Sequence, residues 1–312
     1  MRVFVAGATG AIGQPLVAAL VQRGHTVAGT TRSAAKAGRL EAAGARAVVL
    51  DALDAAAVHA AVEEFKPDVI VHQLTAIAPD ATLRRIDQDF AETNRLRTRG
   101  TDLLVAAARA VGVQRFVAQS FAGWPFAATG GPVKTETDPL EPNPPAVARE
   151  SLSAIRYLEN VVTTAPMEGL VLRYGVFYGP GNSFGRGGAI LELLRRRQLP
   201  VVGGGTGVWS FIHVDDAAAL TALAVEDGAP GIYHVVDDEP APVREWLPYL
   251  AKAVGAPEPR HLPAWLLRPM LGEYIIRSMT RIRGASNAKA KAQWNWRLRY
   301  PSWREGFRHG LG

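Results

Sequence analysis

The sequence contains no cysteine. Disulfides, thiolate metal sites and a cysteine nucleophile are therefore excluded. It has no apolar run near the roughly 18 residues that a membrane helix needs. The first strand begins at Arg2, which leaves no room for a leader peptide, so the expected setting is soluble and cytoplasmic, away from membranes. The seven histidines show no metal-ligand spacing, so no metal is expected. No serine lies in a nucleophile elbow, and no two carboxylates are placed as in a glycosidase. The net charge of +6 is spread among acids. Its densest cluster, Arg195-Arg196-Arg197, ends a predicted helix, where cations complement the helix dipole. No nucleic-acid partner is expected from this pattern.

What is present is an alternation. Hydrophobic residues make up 48% of the 312, enough for a sizeable core. Strands are predicted at Arg2–Ala6, Thr26–Thr30, Ala47–Leu50, Val69–His72 and Arg115–Gln119. Helices lie between them: Ile12–Arg23, one capped by Ser33 and ending near Gly44, one capped by Asp54, and a long one from about Arg84 to Ala110. Strand–helix alternation of this kind specifies an α/β fold, a doubly wound parallel sheet of Rossmann type with helices on both faces. From Phe121 to Pro145 the pattern breaks into a Pro- and Gly-containing loop at the carboxyl end of a strand, where such sheets bind ligands. Helix resumes near Val147–Thr163, and strands at Gly169–Arg173, Trp209–His213 and Ile232–Val236. The expected division is a dinucleotide-binding domain over residues 1–180, with strands returning to it from 205–236, and a smaller substrate lobe over 181–312.

The first strand runs into Gly7-Ala8-Thr9-Gly10-Ala11-Ile12-Gly13. The first glycine permits the turn, the second lets the backbone approach a pyrophosphate, and the third lets the helix pack closely on the strand. Free N–H groups at the helix start then face the phosphates. An acid at the end of the second strand would bind the ribose hydroxyls of NAD, and none is present in Gly29-Thr30-Thr31-Arg32-Ser33. Arg32, with Lys36 one turn on, offers cations for the 2′-phosphate, so NADP is the expected cofactor and NAD the alternative. Asp51 follows the third strand and is a candidate for the adenine.

These residues together resemble the extended short-chain dehydrogenase/reductases, in particular the NAD-dependent epimerase/dehydratase branch. Leu172-Arg173-Tyr174-Gly175-Val176-Phe177-Tyr178-Gly179-Pro180-Gly181 resembles the segment that passes the nicotinamide. Phe211-Ile212-His213-Val214-Asp215-Asp216-Ala217 resembles the second-lobe signature, and Asn287-Ala288-Lys289-Ala290 with Trp294 and Trp296 the C-terminal segment. The resemblance implies cofactor contacts at Gly7, Thr9, Gly10, Ala11, Ile12 and Gly13, and at Arg32, Lys36, Asp51, Ala52 and Leu53. It extends them to Gln73, Leu74 and Thr75, and to Tyr174 and Val176. It also implies a small-molecule substrate and, as in many relatives, a homodimer.

The resemblance fails where the chemistry should be. The family uses a Tyr with a Lys four residues on, plus a hydroxyl after the fifth strand. One register puts Ala146 and Glu150 at the Tyr and Lys positions, the other Ser151 and Ile155. Neither holds the pair, and Tyr157 is followed four residues on by Val161. The hydroxyl position carries Phe121, with Ser120 one place earlier. Trp209 stands where nucleotide-sugar members carry a phosphate-gripping arginine. Ser120 and Tyr174 are the candidate catalytic residues, as substitute proton donors. Phe121, Trp124, Lys134, Tyr178 and Trp209 are the expected substrate pocket. Glu136, Arg149 and Glu150 read as solvated charges, and His72 as a structural residue beside the cofactor. The expected activity is an oxidoreductase acting on a small, largely apolar carbonyl, hydroxyl or enone compound. A sugar epimerase or dehydratase and a non-enzymatic cofactor sensor are the alternatives.

Overall fold

The computed structural model describes residues 1–77 and 83–312. Its centre is a seven-stranded sheet in which every described pairing is parallel. The strands are β1 (Arg2–Ala6), β2 (Thr26–Thr31), β3 (Arg46–Val49), β4 (Val69–His72), β5 (Arg115–Phe121), Glu168–Tyr174 and Gly231–Val235. From one edge to the other the order is Gly231–Val235, Glu168–Tyr174, β5, β4, β1, β2, β3. Strand order reverses between β1 and β4, which opens a crevice at their carboxyl ends. β4, with sequence VIVH, is buried at all four residues, as expected for a parallel strand covered on both faces.

The helices cover the two faces. α1 (Gly13–Gln22) presents Leu16, Val17 and Leu20 to one face, and Gly24 ends the turn after it at φ +82°. α2 (Ala34–Ala42) starts after Ser33, whose backbone takes the extended cap conformation but whose side chain closes no cap bond. α3 (Ala55–Phe65) is capped as expected: the Asp54 carboxylate accepts from the Ala56 and Ala57 amides at 3.0 and 3.1 Å.

Two expectations are corrected. The long helix from Arg84 is four pieces: Ile86–Asp89, Ala91–Arg95, a π-helical turn Leu96–Gly100, and Thr101–Val111. Thr98 and Thr101 turn their hydroxyls back onto the carbonyls of Asn94 and Arg97, at 2.9 and 2.7 Å, which perturbs the regular ladder. The strand over Trp209–His213 is two. Val208–Trp209 pairs antiparallel with Ala241–Pro242, and Phe211–His213 pairs parallel with Val176–Tyr178.

A second core lies beyond the sheet. Tyr178, Phe211, Trp246, Trp303 and Phe307 are buried together, with Phe211–Trp246 ring centroids 5.2 Å apart and Tyr178–Phe307 5.4 Å. Edge-on aromatic packing of this kind adds to the stabilisation that burial of the rings provides. No helix among the described residues is long and apolar enough to cross a membrane.

Candidate functional site

The glycine loop stands at the switch point between β1 and β4. Gly7 sits at φ +89°, and a Cβ there would lie 2.7 Å from the Gln73 carbonyl oxygen. Only glycine combines that conformation with that approach to the end of β4. The loop is tied to β2 by the Gly7 amide, which donates to Thr30 Oγ1 at 3.0 Å. The resulting cleft has a volume of about 340 Å³. Gly7, Thr9 and Gly10 line it from the loop, Arg32, Asp51 and Ala52 from just past the second and third strands, Lys36 from the first turn of α2, and Gln73, Leu74 and Thr75 from the end of β4. Ile12 and Gly13 lie buried behind the loop, while Ala11 faces solvent; neither these nor Leu53 is among the cleft's wall residues. Thr31, Leu50 and Leu96 join the wall, and no sequence motif announced them.

Gln73 is 4% exposed, and its Nε2 donates to the Tyr174 hydroxyl at 3.0 Å. Its Oε1 has no partner among the described residues. A buried acceptor left open on the wall of a cleft is a place for a ligand donor. With the helix start and the glycine backbone, the donor and acceptor set fits a dinucleotide. His72, just before it, is neutral. Burial is the main cause that pulls its pKa down to about 4. The ring accepts from the Leu74 amide on Nδ1 at 3.2 Å, so Nε2 carries the proton toward Thr101 Oγ1 at 3.1 Å. A histidine with a folded pKa below its unfolded one destabilises the fold as pH falls through that window. Comparing His72→Asn with the parent by urea unfolding between about pH 6.5 and pH 4 isolates this residue. The parent's stability should fall more steeply, by about 1.4 kcal/mol per pH unit. Parallel slopes would contradict the assignment.

Neither candidate proton donor is among the wall residues of the cleft. Tyr174 is fully buried in the main core. Its hydroxyl donates to Thr221 Oγ1 at 2.7 Å, because that threonine's own proton goes to the Ala217 carbonyl. Burial pushes the phenol up to about 12. Ser120 points to the other side of β5 from the ligand face. Its hydroxyl donates to Glu159 Oε1 at 2.7 Å, and Glu159 in turn grips Arg173 through two bonds of 2.7 and 2.6 Å. Strand alternation puts Ser120 inside and Phe121 on the ligand side. Ser120→Ala and Tyr174→Phe should therefore retain the parent kcat; loss of turnover in either would restore it as a donor.

Four further expectations are corrected. Lys134 is buried and clamps the 121–145 loop, its Nζ reaching the Thr129 carbonyl at 2.6 Å and Asp138 at 3.1 Å. Glu136 is part of the same clamp: it accepts from the His234 amide at 2.8 Å. Tyr178 is wedged among Phe211, His213 and Phe307 in the second core. Val176 lines a second cavity instead of the cofactor cleft. On the helix Arg149–Thr163 and the turn before it, Ala146 and Glu150 are exposed, whereas Ser151 and Ile155 are buried. The second register is thus the inward-facing one. Ser151 is held by Asp87 at 2.7 Å and by Asn94 at 3.1 Å.

A second, larger cavity of about 650 Å³ opens beside β5. Phe121, Trp124 and Trp209 line it and leave it open. Trp209 is fixed by donating Nε1 to the Ser278 carbonyl at 2.8 Å and by packing on Trp246, 4.9 Å between centroids. The other walls were missed: Phe184, Leu199, Leu271, Tyr274, Ile275 and Met279. Most come from Ala264–Thr280, a helical stretch with no motif, kinked at Gly272, φ +81°. The walls are predominantly apolar.

A switch-point glycine loop beside a cleft for a dinucleotide, and an apolar cavity under a second lobe, define a nicotinamide-dependent enzyme of the extended short-chain type. The comparisons agree. The family model described as NAD dependent epimerase/dehydratase family matches residues 3–235, and the chain belongs to that family. It is 48% identical to a 3-diazoavenalumate denitrifying reductase of a Streptomyces species, over 98% of this chain and 99% of that protein. It is 28% identical to a 2-alkyl-3-oxoalkanoate reductase of Stenotrophomonas maltophilia, over 82% and 77%. The crystal structure of the Thermus thermophilus UDP-glucose 4-epimerase in complex with NAD is 28% identical and superposes over 100% of this chain and 98% of that one, with a TM-score of 0.75. The chain is an NAD(P)-dependent reductase of a small-molecule substrate.

Proposed function

We propose that this reductase uses NADP and reduces a planar, largely aromatic acceptor bearing a diazo group, with loss of dinitrogen. The observation that carries the reading is the pairing of an aromatic-walled cavity beside the cleft with an inward-facing helix register that holds Ser151 and Ile155 in place of a Tyr–Lys pair. Carbonyl reduction places a negative charge on oxygen, and a positioned acid there is worth ~10²–10⁴ in rate. The bound nicotinamide supplies a hydride. A diazonium group already carries the positive charge, accepts the hydride on its terminal nitrogen, and leaves as N2 with that hydrogen retained by the ring carbon. No oxygen has to be protonated. The protein's share is orientation in an apolar-walled cavity, which Phe121, Trp124 and Trp209 help to form. The Streptomyces relative supports the reaction by its similarity. Trp209, fixed against Trp246, argues against a sugar-nucleotide phosphate at that wall.

The test is NADPH consumption with an arenediazonium salt, measured above the enzyme-free rate together with N2 release. Mole-for-mole N2 and arene are expected. Reduction of an aryl ketone in its place, with the diazonium salt untouched, would return the enzyme to carbonyl chemistry; turnover of UDP-glucose would do so for sugar chemistry.

The NADP preference rests on the end of β2, where Thr31 is followed by Arg32 and no acid intervenes. Arg32 and Lys36 both line the cleft, and Arg32 is exposed, 3.7 Å from Glu92. A guanidinium–phosphate contact is charge-assisted. Arg32→Ala should weaken NADPH about 10- to 100-fold and leave NADH unchanged. Equal affinity for both in the parent protein would refute the preference.

A further inference from the structure

The apolar cavity continues past one of its walls. Trp124, Tyr274, Ser278 and Ile282 line it and also line a smaller chamber of about 80 Å³, so the two spaces share a partition. Trp124 and Tyr274 meet there edge-on, with ring centroids 5.5 Å apart. Beyond the partition the chemistry changes: the chamber adds Arg277, Arg281 and Glu141 to its walls. A site needs only about 10–15 Å³ to admit one water, so the chamber has room for a small polar group.

The three charges are not equally free. Glu141 is the one acid among the chamber's wall residues, and its Oε1 accepts from the Asn143 amide at 2.9 Å. Arg277 is tied down: its Nε donates to Glu273 at 2.9 Å and its Nη1 to the Asn143 carbonyl at 3.4 Å. Arg281 follows four residues later and closes the helix Ala264–Thr280, its amide donating to the Arg277 carbonyl at 2.7 Å. Among the described residues its exposed guanidinium enters no hydrogen bond or ion pair. Two more arginines anchor on the chamber's backbone, Arg156 on the Glu141 carbonyl at 2.7 Å and Arg283 on the Ala128 carbonyl at 3.0 Å. The surroundings are therefore cationic, and the cation left to spare is Arg281.

We propose that the chamber is an anion subsite of the substrate pocket: the apolar body of the substrate fills the cavity, and a carboxylate at its far end reaches past Trp124 and Tyr274 to Arg281. A guanidinium presents its N–H groups in a fork that matches a carboxylate. A few polar groups beside a mainly apolar pocket are what fixes a ligand's orientation. The subsite makes the substrates amphipathic acids of a minimum length. This rests on the cavity being the substrate site, and it holds for any acceptor group on the ring.

The test uses the full chain loaded with NADPH and calorimetric titration with the ω-phenylalkanoates from phenylacetate to phenylhexanoate, each beside its neutral methyl ester. Short acids should bind no better than their esters. Once the chain is long enough to pass the partition, the acid should gain about 3- to 10-fold over the ester, and added salt should shrink the gain, because Arg281 is exposed and screened. Arg281→Met should remove the gain and leave ester and NADPH affinity and the melting temperature unchanged; Arg281→Glu should turn it into a preference for the ester. Arg196→Met serves as the control, since Arg196 lines the cavity and not the chamber, and should keep the gain. Binding with no preference for the acid at any length overturns the subsite alone. No binding by any of the compounds overturns the cavity as substrate site and the subsite with it. A gain that survives Arg281→Met and disappears in Arg196→Met puts the anion in the cavity itself, and the subsite is wrong. Equal loss of acid and ester in Arg281→Met would make the residue structural and overturn the subsite as well.

Discussion

Arg173→Met is expected to lose about 3–5 kcal/mol of folding stability, because it strands a buried carboxylate. Arg173 and Glu159 are 4% and 6% exposed, and two short hydrogen bonds join them. Ser120 adds a third bond to the same carboxylate, and the Phe126 ring lies 5.7 Å from the guanidinium carbon. The network links β5, the helix Arg149–Thr163 and the strand Glu168–Tyr174 below the ligand-binding end of the sheet. Removing one partner leaves the other charged, buried and unmatched. Removing both is different: the double variant Glu159→Leu with Arg173→Met should recover most of the loss, since apolar side chains fill the space without a desolvation cost. Urea unfolding of the two variants measures this. A single variant that unfolds with the parent, or a double variant no better than the single, would show that the pair does not hold these elements together. The same network engages Ser120, whose proton goes to Glu159.

The second large effect is at the glycine loop, and it separates two glycines that look alike in the motif. A Cβ on Gly13 would lie 2.3 Å from the Gly7 oxygen and 2.6 and 2.7 Å from the Ala8 carbonyl carbon and Cα. All three are backbone atoms, so no side chain can give way. Gly13→Ala should cost about 1–3 kcal/mol of stability, as overpacking does. The displaced loop and helix start should then weaken NADPH binding about 100-fold or more. At Gly10 the nearest atom to an added Cβ is the Gly7 oxygen at 3.3 Å, and the residue is exposed on the cleft. Gly10→Ala should keep the parent's stability and lose cofactor affinity, because its methyl group projects where the backbone meets the phosphates. Melting curves and cofactor titrations on both variants decide it. Cofactor affinity unchanged in Gly10→Ala would move the phosphates away from the loop.

The parts of the molecule that were legible share a property: their information is local. Period-two and helical patterns, the Asp54 cap and the spacing of Gly7, Gly10 and Gly13 each lie within one turn or one strand. Backbone sterics and hydrogen bonding act over the same distance. Ten expected contacts (Gly7, Thr9, Gly10, Arg32, Lys36, Asp51, Ala52, Gln73, Leu74 and Thr75) meet in one cleft because they follow successive parallel strands that all end at the same edge. The break in the long helix was less legible, since hydroxyl groups at Thr98 and Thr101 override an unbroken apolar period.

The amino-acid sequence alone thus determined a parallel Rossmann sheet, its cofactor loop and the absence of a Tyr–Lys pair, because each is a statement about residues near one another in the chain. Tertiary structure decided which hydroxyls are engaged within the protein and which side chains wall the second cavity. Tyr174 and Tyr178 carry the right functional group, yet both are sealed in core, one bonded to Thr221 and the other packed on Phe307. Ser120 and Phe121 are neighbours, and the pleat sends them to opposite sides. Phe121 and Tyr274 lie far apart in the chain, and only the tertiary fold brings them to the walls of one cavity. Burial and partnering depend on what the rest of the chain lays across a residue, and no local pattern encodes that.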